Sequence, residues 1–125
     1  KELKKKNPKL KKPKILIMGY TFKENVTDTR NTQVKSMINF FRKKNFYNLD
    51  VYDPNVNSED IKTSIKKFFI KKLVKFQYDG VIISVKHDQF IKLGTKYIKD
   101  LLKNDKGLIF DVKDILGRDK NIIKL

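Results

Sequence analysis

Apolar positions along the chain alternate between two kinds of spacing. Ile15–Met18, Leu49–Tyr52, Gly80–Val85 and Gly107–Val112 are short, nearly continuous apolar runs. Runs that are apolar on both faces fit strands of a parallel sheet covered on both sides. Between them the spacing turns helical. Val34, Met37, Ile38 and Phe41 recur at i, i+3, i+4 and i+7, one face of a helix that starts near Asn31 or Thr32 as N-cap and ends near Lys44. Ser58-Glu59-Asp60 opens a short helix, and His87–Phe90 reads as a helical turn. Thr95–Leu102 reads as a further helix with Tyr97, Ile98, Leu101 and Leu102 inward, and Asn121–Leu125 as a last edge strand. Residues 61–76 leave two readings open: Ile65, Phe68, Phe69, Leu73 and Phe76 suit a helix, whereas Phe68-Phe69-Ile70 suits a short strand. The alternation predicts an α/β fold, a three-layer Rossmann-like domain with a mainly parallel sheet flanked by helices.

With 125 residues the chain suits one domain. Lys1 to Lys14 is basic and broken by Pro8 and Pro13, so residues 1–13 are read as a linker stub and 14–125 as the folded domain. No apolar run is long enough to span a bilayer and no signal peptide is visible, which makes a cytoplasmic location the expectation, with no membrane partner. There are no cysteines and one histidine, His87. This excludes a disulfide framework and a cysteine nucleophile within the chain and argues against a zinc site.

The net charge of +16 points at first to nucleic acid. However, 27 of the 30 basic residues are lysine, the three arginines (Arg30, Arg42, Arg118) are scattered, and the charge is spread along the chain. Without an arginine-rich helix or a known nucleic-acid signature, lysine is read as general surface composition, and no nucleic-acid partner is expected.

Ligands of such sheets sit beyond the carboxyl ends of the strands. Four strand ends carry candidate chemistry. After Met18 comes one glycine, Gly19, too few for the cradle that holds a dinucleotide pyrophosphate. The loop offers side chains instead. Phe22 is a flat apolar surface, Lys23 a point charge for phosphate or hydroxyl oxygens, and Arg30 a bidentate donor near a helix start. Each has a plainer reading: loop packing for Phe22, a solvated surface lysine for Lys23, a staple to Asp28 or Glu24 for Arg30. The combination is what raises them. At the other ends, His87 and Asp88 could form an acid–base pair but are read as a helix start capped by Asp88. Asp53-Pro54 is read as a strand terminator. Asp111, Lys113 and Asp114 are read as a surface charge cluster.

Gly19-Tyr20-Thr21-Phe22-Lys23-Glu24-Asn25 followed by Asp28-Thr29-Arg30-Asn31 resembles a segment of the UDP-glucose/GDP-mannose dehydrogenase family, in its C-terminal UDP-binding domain. Val51-Tyr52-Asp53-Pro54, Tyr78–Val81 through His87-Asp88-Gln89-Phe90, and Ile109–Lys113 match further segments of that domain in the same order. The wording of the first segment is closest to the UDP-N-acetylhexosamine dehydrogenase branch. The family's serine after the Arg-Asn or Arg-Glu pair is Thr32 here, following Arg30-Asn31.

The resemblance implies NAD-dependent oxidation of a nucleotide sugar's C6 alcohol to the carboxylate. It implies that Phe22, Lys23 and Lys113 contact the UDP-sugar and that Arg30 reaches NAD, which is held mainly by another domain. It assigns no catalytic residue and no metal ligand to this chain, because the catalytic cysteine belongs to a central domain. The expected partners are a UDP-sugar and the rest of a parent dehydrogenase chain, with homodimerisation in the full-length enzyme, and the chain alone is expected to be inactive. The alternative is a stand-alone nucleotide-binding or regulatory α/β module.

Overall fold

A computed structural model describes residues 13–21, 33–44, 48–61 and 63–124. Of the linker read over residues 1–13, residues 1–12 lie outside them, as do the caps Asn31 and Thr32, whereas Pro13 is buried and its carbonyl accepts Asn48 N–H at 3.1 Å. The elements are β1 (Lys14–Met18), α1 (Gln33–Lys44), β2 (Asn48–Tyr52), a single 3-10 turn (Ser58–Asp60), α2 (Thr63–Lys66), β3 (Gly80–Ile83), α3 (Asp88–Lys99), β4 (Leu108–Asp111) and β5 (Ile122–Lys124). All five strands run parallel in the order β2-β1-β3-β4-β5. The order reverses between β1 and β3, the position at which open parallel sheets bind their ligands.

The period-2 geometry of β1 divides the core. Ile15 and Ile17 face one layer with Leu49, Val51, Val34, Ile38, Ile61 and Ile65. Leu16 and Met18 face the other with Val81, Ile83, Ile109, Phe90, Ile98, Leu101 and Leu102. Helices α1 and α2 therefore cover one face and α3 the other, the three layers expected. Helix α1 ends at Lys44 with Arg42, Lys43 and Lys44 in its last turn, where cations complement the exposed carbonyls. Among the described residues no helix is long and apolar enough to cross a membrane.

Both readings of residues 61–76 hold in part. Thr63–Lys66 is a helix of one turn. Val51 N–H then donates to Phe68 O and Ile70 N–H to Val51 O, both at 2.8 Å, so Phe69 pairs in parallel with the outer edge of β2. Phe76, assigned inward by helical spacing, is 60% exposed. It sits in a left-handed turn at φ 62°, beyond the helix that would have turned it inward. The two helical pieces expected over 87–102 form one element broken at Gly94, which adopts φ 84°, ψ 161°.

Gly19 ends β1 at φ 107°. A Cβ there would stand 2.7 Å from Val85 Cβ and 2.9 Å from Val85 N. Glycine thus lets the exits of β1 and β3 pass in contact at the switch point. Gly94 also has positive φ, yet its Cβ position is open. Gly19→Ala should accordingly cost more stability than Gly94→Ala: about 2–4 kcal/mol from overpacking plus left-handed strain, against about 1 kcal/mol from strain alone. Urea unfolding midpoints of the two variants measure the difference.

Candidate functional site

The carboxyl ends of β1, β2 and β3 meet at one buried carboxylate. Asp53, the first residue past β2, accepts the backbone N–H of Tyr20 at 2.7 Å and of Thr21 at 3.0 Å through Oδ2. Its Oδ1 accepts Asn55 N–H at 2.8 Å. His87, the N-cap position of α3, places Nε2 3.0 Å from Asp53 Oδ2 and 3.0 Å from Thr21 Oγ1. The side chains of Asp53 and His87 are fully buried. Burial by itself would push the Asp53 carboxyl up. The hydrogen bonds from His87 and from the Tyr20 and Thr21 amides outweigh burial and hold it below the usual carboxylate range.

The network also orients the imidazole. Gln89 Nε2 donates to Asn55 Oδ1 at 2.8 Å, which turns the Asn55 amide so that Nδ2 faces His87 Nδ1 at 3.1 Å. This amide orientation assigns Nδ1 as an acceptor and matches the tautomer with Nε2–H toward the carboxylate. Phe90 meets the ring edge-on at a centroid distance of 5.2 Å. Beside this junction, Asn55, Asp88, Gln89 and Lys92 line a pocket of about 360 Å³.

Two readings of this region are corrected. The partner of His87 is Asp53, not Asp88, and Asp88 is the first residue of α3 rather than its cap. Asp53 does more than end a strand. The signal lay in the sequence only as polar residues at three strand ends, and local spacing cannot reveal that those ends converge.

A second buried carboxylate organises the exit of β4. Asp111 accepts Ile115 N–H at 3.0 Å, Leu116 N–H at 2.9 Å and Lys124 Nζ at 3.1 Å. Lys124 also donates to Asp114 and to the Leu116 carbonyl. Asp114 is held below, and Lys124 above, its ordinary range, chiefly by their mutual hydrogen bond. The surface-cluster reading therefore holds for exposed Asp114 but not for Asp111, which is wholly buried. Lys113 is exposed on the turn after β4, at the same edge of the sheet as Thr21. Phe22, Lys23 and Arg30 lie outside the described residues. Among the described residues no group of three or more His, Asp or Glu could hold a metal ion. The turn after β1 also does not fit a dinucleotide cradle, because its one glycine is filled against Val85.

The profile of the UDP-glucose/GDP-mannose dehydrogenase family, UDP binding domain, matches residues 16–118. The chain belongs to this family. Among its relatives, the UDP-N-acetyl-D-glucosamine 6-dehydrogenase of Pseudomonas aeruginosa is 34% identical over 112 residues, covering 90% of this chain and 26% of the relative. The enzyme of the same name in Salmonella typhi is 31% identical over 111 residues, covering 89% and 26%. The UDP-N-acetyl-D-mannosamine dehydrogenase of Methanococcus vannielii is 30% identical over 116 residues, covering 91% and 26%. These names agree with the N-acetylhexosamine branch expected from the first loop. The chain spans about a quarter of the length of these relatives.

The fold is shared with solved structures. The UDP-N-acetyl-mannosamine dehydrogenase Cap5O of Staphylococcus aureus superposes with a TM-score of 0.69 at 21% identity, over 97% of this chain and 27% of that one. The GDP-mannose dehydrogenase of Pseudomonas aeruginosa superposes at 0.67 and 17%, over 90% and 28%.

The lowered Asp53 pKa fixes the sign of a pH effect. A carboxyl whose folded pKa lies below its unfolded value, about 3.9, adds stability above that value. The contribution disappears as pH falls through the folded pKa. Asp53→Asn should therefore be less stable than wild type at pH 7, by about 2 kcal/mol, and should lose less stability than wild type between pH 4 and pH 2. Denaturant midpoints across that range check both statements.

Proposed function

We propose that this chain is the UDP-sugar-binding domain of an NAD-dependent nucleotide-sugar 6-dehydrogenase. The observation that carries the reading is the family match over residues 16–118, whose first motif leaves the carboxyl end of β1 beside the β1/β3 switch point. In the proposal Phe22 packs against the nucleotide sugar, and Lys23 and Lys113 neutralise its diphosphate as point charges. Arg30 reaches toward NAD. The cofactor itself is held elsewhere in a parent chain, since the β1 turn here lacks the glycines that would admit its pyrophosphate. NAD would supply hydride acceptance, and this chain would supply binding and orientation of the sugar nucleotide. The catalytic cysteine and the dimer contacts of the assembled enzyme are assigned to the remainder of that parent chain. The substrate is a UDP-hexose or UDP-N-acetylhexosamine, and the names of the relatives favour the latter.

Titration of the isotope-labelled chain with UDP, followed by amide NMR shifts, tests the reading. Binding with Kd on the order of millimolar is expected, because part of the site belongs to other domains. The amides of Gly19–Thr21 and Lys113 should move, and uridine should bind more weakly than UDP. Lys23→Ala and Lys113→Ala should each weaken UDP binding about fivefold to tenfold. Undisturbed resonances at these positions at saturating UDP would remove the site from this edge of the sheet.

A further inference from the structure

We infer that His87 is a positioning residue: it fixes the exit of β1 at Tyr20 and Thr21, the backbone that precedes Phe22 and Lys23 in the sequence. The consequence for ligand binding rests on the proposed UDP-binding function, whereas the geometry does not.

The exit of β1 is held from both sides. On the β2 side, Asp53 Oδ2 takes the Tyr20 and Thr21 amides. On the β3 side, His87 Nε2 meets Thr21 Oγ1 and the same carboxylate oxygen. Both ring nitrogens are engaged, and the ring is 0% exposed. It therefore acts through Thr21 and Asp53 and not on a ligand. Phe90 supplies the apolar contact to the ring, edge-on at a centroid distance of 5.2 Å. What the imidazole adds is direction. One nitrogen faces the carboxylate and the other faces Asn55, whose amide is held in turn by Gln89 and whose backbone N–H is held by Asp53. Two residues beyond Thr21 stands Lys23. Successive Cα atoms are about 3.8 Å apart, so a rotation of tens of degrees at the Thr21 peptide displaces the next residues of the chain by ångströms. Charge-assisted contacts to phosphate tolerate little such error.

His87→Leu removes both polar atoms at similar volume, and His87→Gln can restore a donor toward Asp53. Thr21→Val removes the hydroxyl while keeping shape and serves if the Leu variant does not fold. Leu102→Ala, at the amino edge of the sheet, is the control for lost stability alone.

Two readouts on the 125-residue chain are needed: hydrogen exchange of the Tyr20 and Thr21 amides without ligand, and UDP affinity by NMR titration. In His87→Leu those amides should exchange about tenfold faster. In both His87→Leu and Thr21→Val the UDP Kd should rise about tenfold. His87→Gln should recover most of both, and Leu102→Ala should leave Kd unchanged. Folded His87→Leu or Thr21→Val with wild-type UDP affinity, or folded His87→Leu with wild-type exchange at these amides, overturns the inference. A wild-type chain that binds no UDP would remove the proposed function alone, and the exchange rates would still decide whether His87 holds the exit of β1.

Discussion

The carboxylate of Asp53 is the constraint on which the working edge of this domain depends. Placing a charge in a dry interior is costly unless hydrogen bonds replace the lost water. Asp53 meets that demand with donors from three neighbouring strand exits: the backbone of Tyr20 and Thr21, the imidazole of His87, and the backbone of Asn55 two residues on. Because the donors lie on separate segments, satisfying the charge forces the segments together. A parallel sheet leaves its last backbone N–H groups without partners, and here one side chain supplies acceptors for two of them.

The topology makes that convergence useful. With the order β2-β1-β3-β4-β5, chain leaves β1 toward one side and β3 toward the other. Gly19 lets the two exits touch through Val85. Farther along the edge, Asp111 repeats the device on a smaller scale, folding the turn that carries Lys113 over its own oxygens and Lys124. Two buried carboxylates thus shape the edge, while the cations proposed to meet a diphosphate belong to the segments those carboxylates anchor. The chain belongs to the family of this UDP binding domain and spans about a quarter of the length of its relatives.

Much of the architecture was legible because its signals are local. Four apolar runs gave β1 to β4 within one or two residues, the Val34–Phe41 stripe gave α1, and Gly94 separates the two helical pieces read from 87–102. Residues 61–76 were ambiguous for a physical reason: one helical turn and a bridge to β2 lie too close together in the chain for either period to emerge. Asp53 and Asp111 look, in sequence, like ordinary polar punctuation. Nothing in their neighbours distinguishes a solvated aspartate from one that gathers backbone amides.

The sequence by itself determined the period of each segment, and with it the alternation of strands and helices, the parallel sheet and the loop whose motif marks the family. These arise from apolar spacing and from residue types at fixed short separations. Only the tertiary structure decided that His87 answers to Asp53 across 34 residues and that Asp111 is interior. Each of these is a meeting of segments brought together by strand order, and burial converts a polar residue into a structural tie only once its partners arrive from elsewhere in the chain.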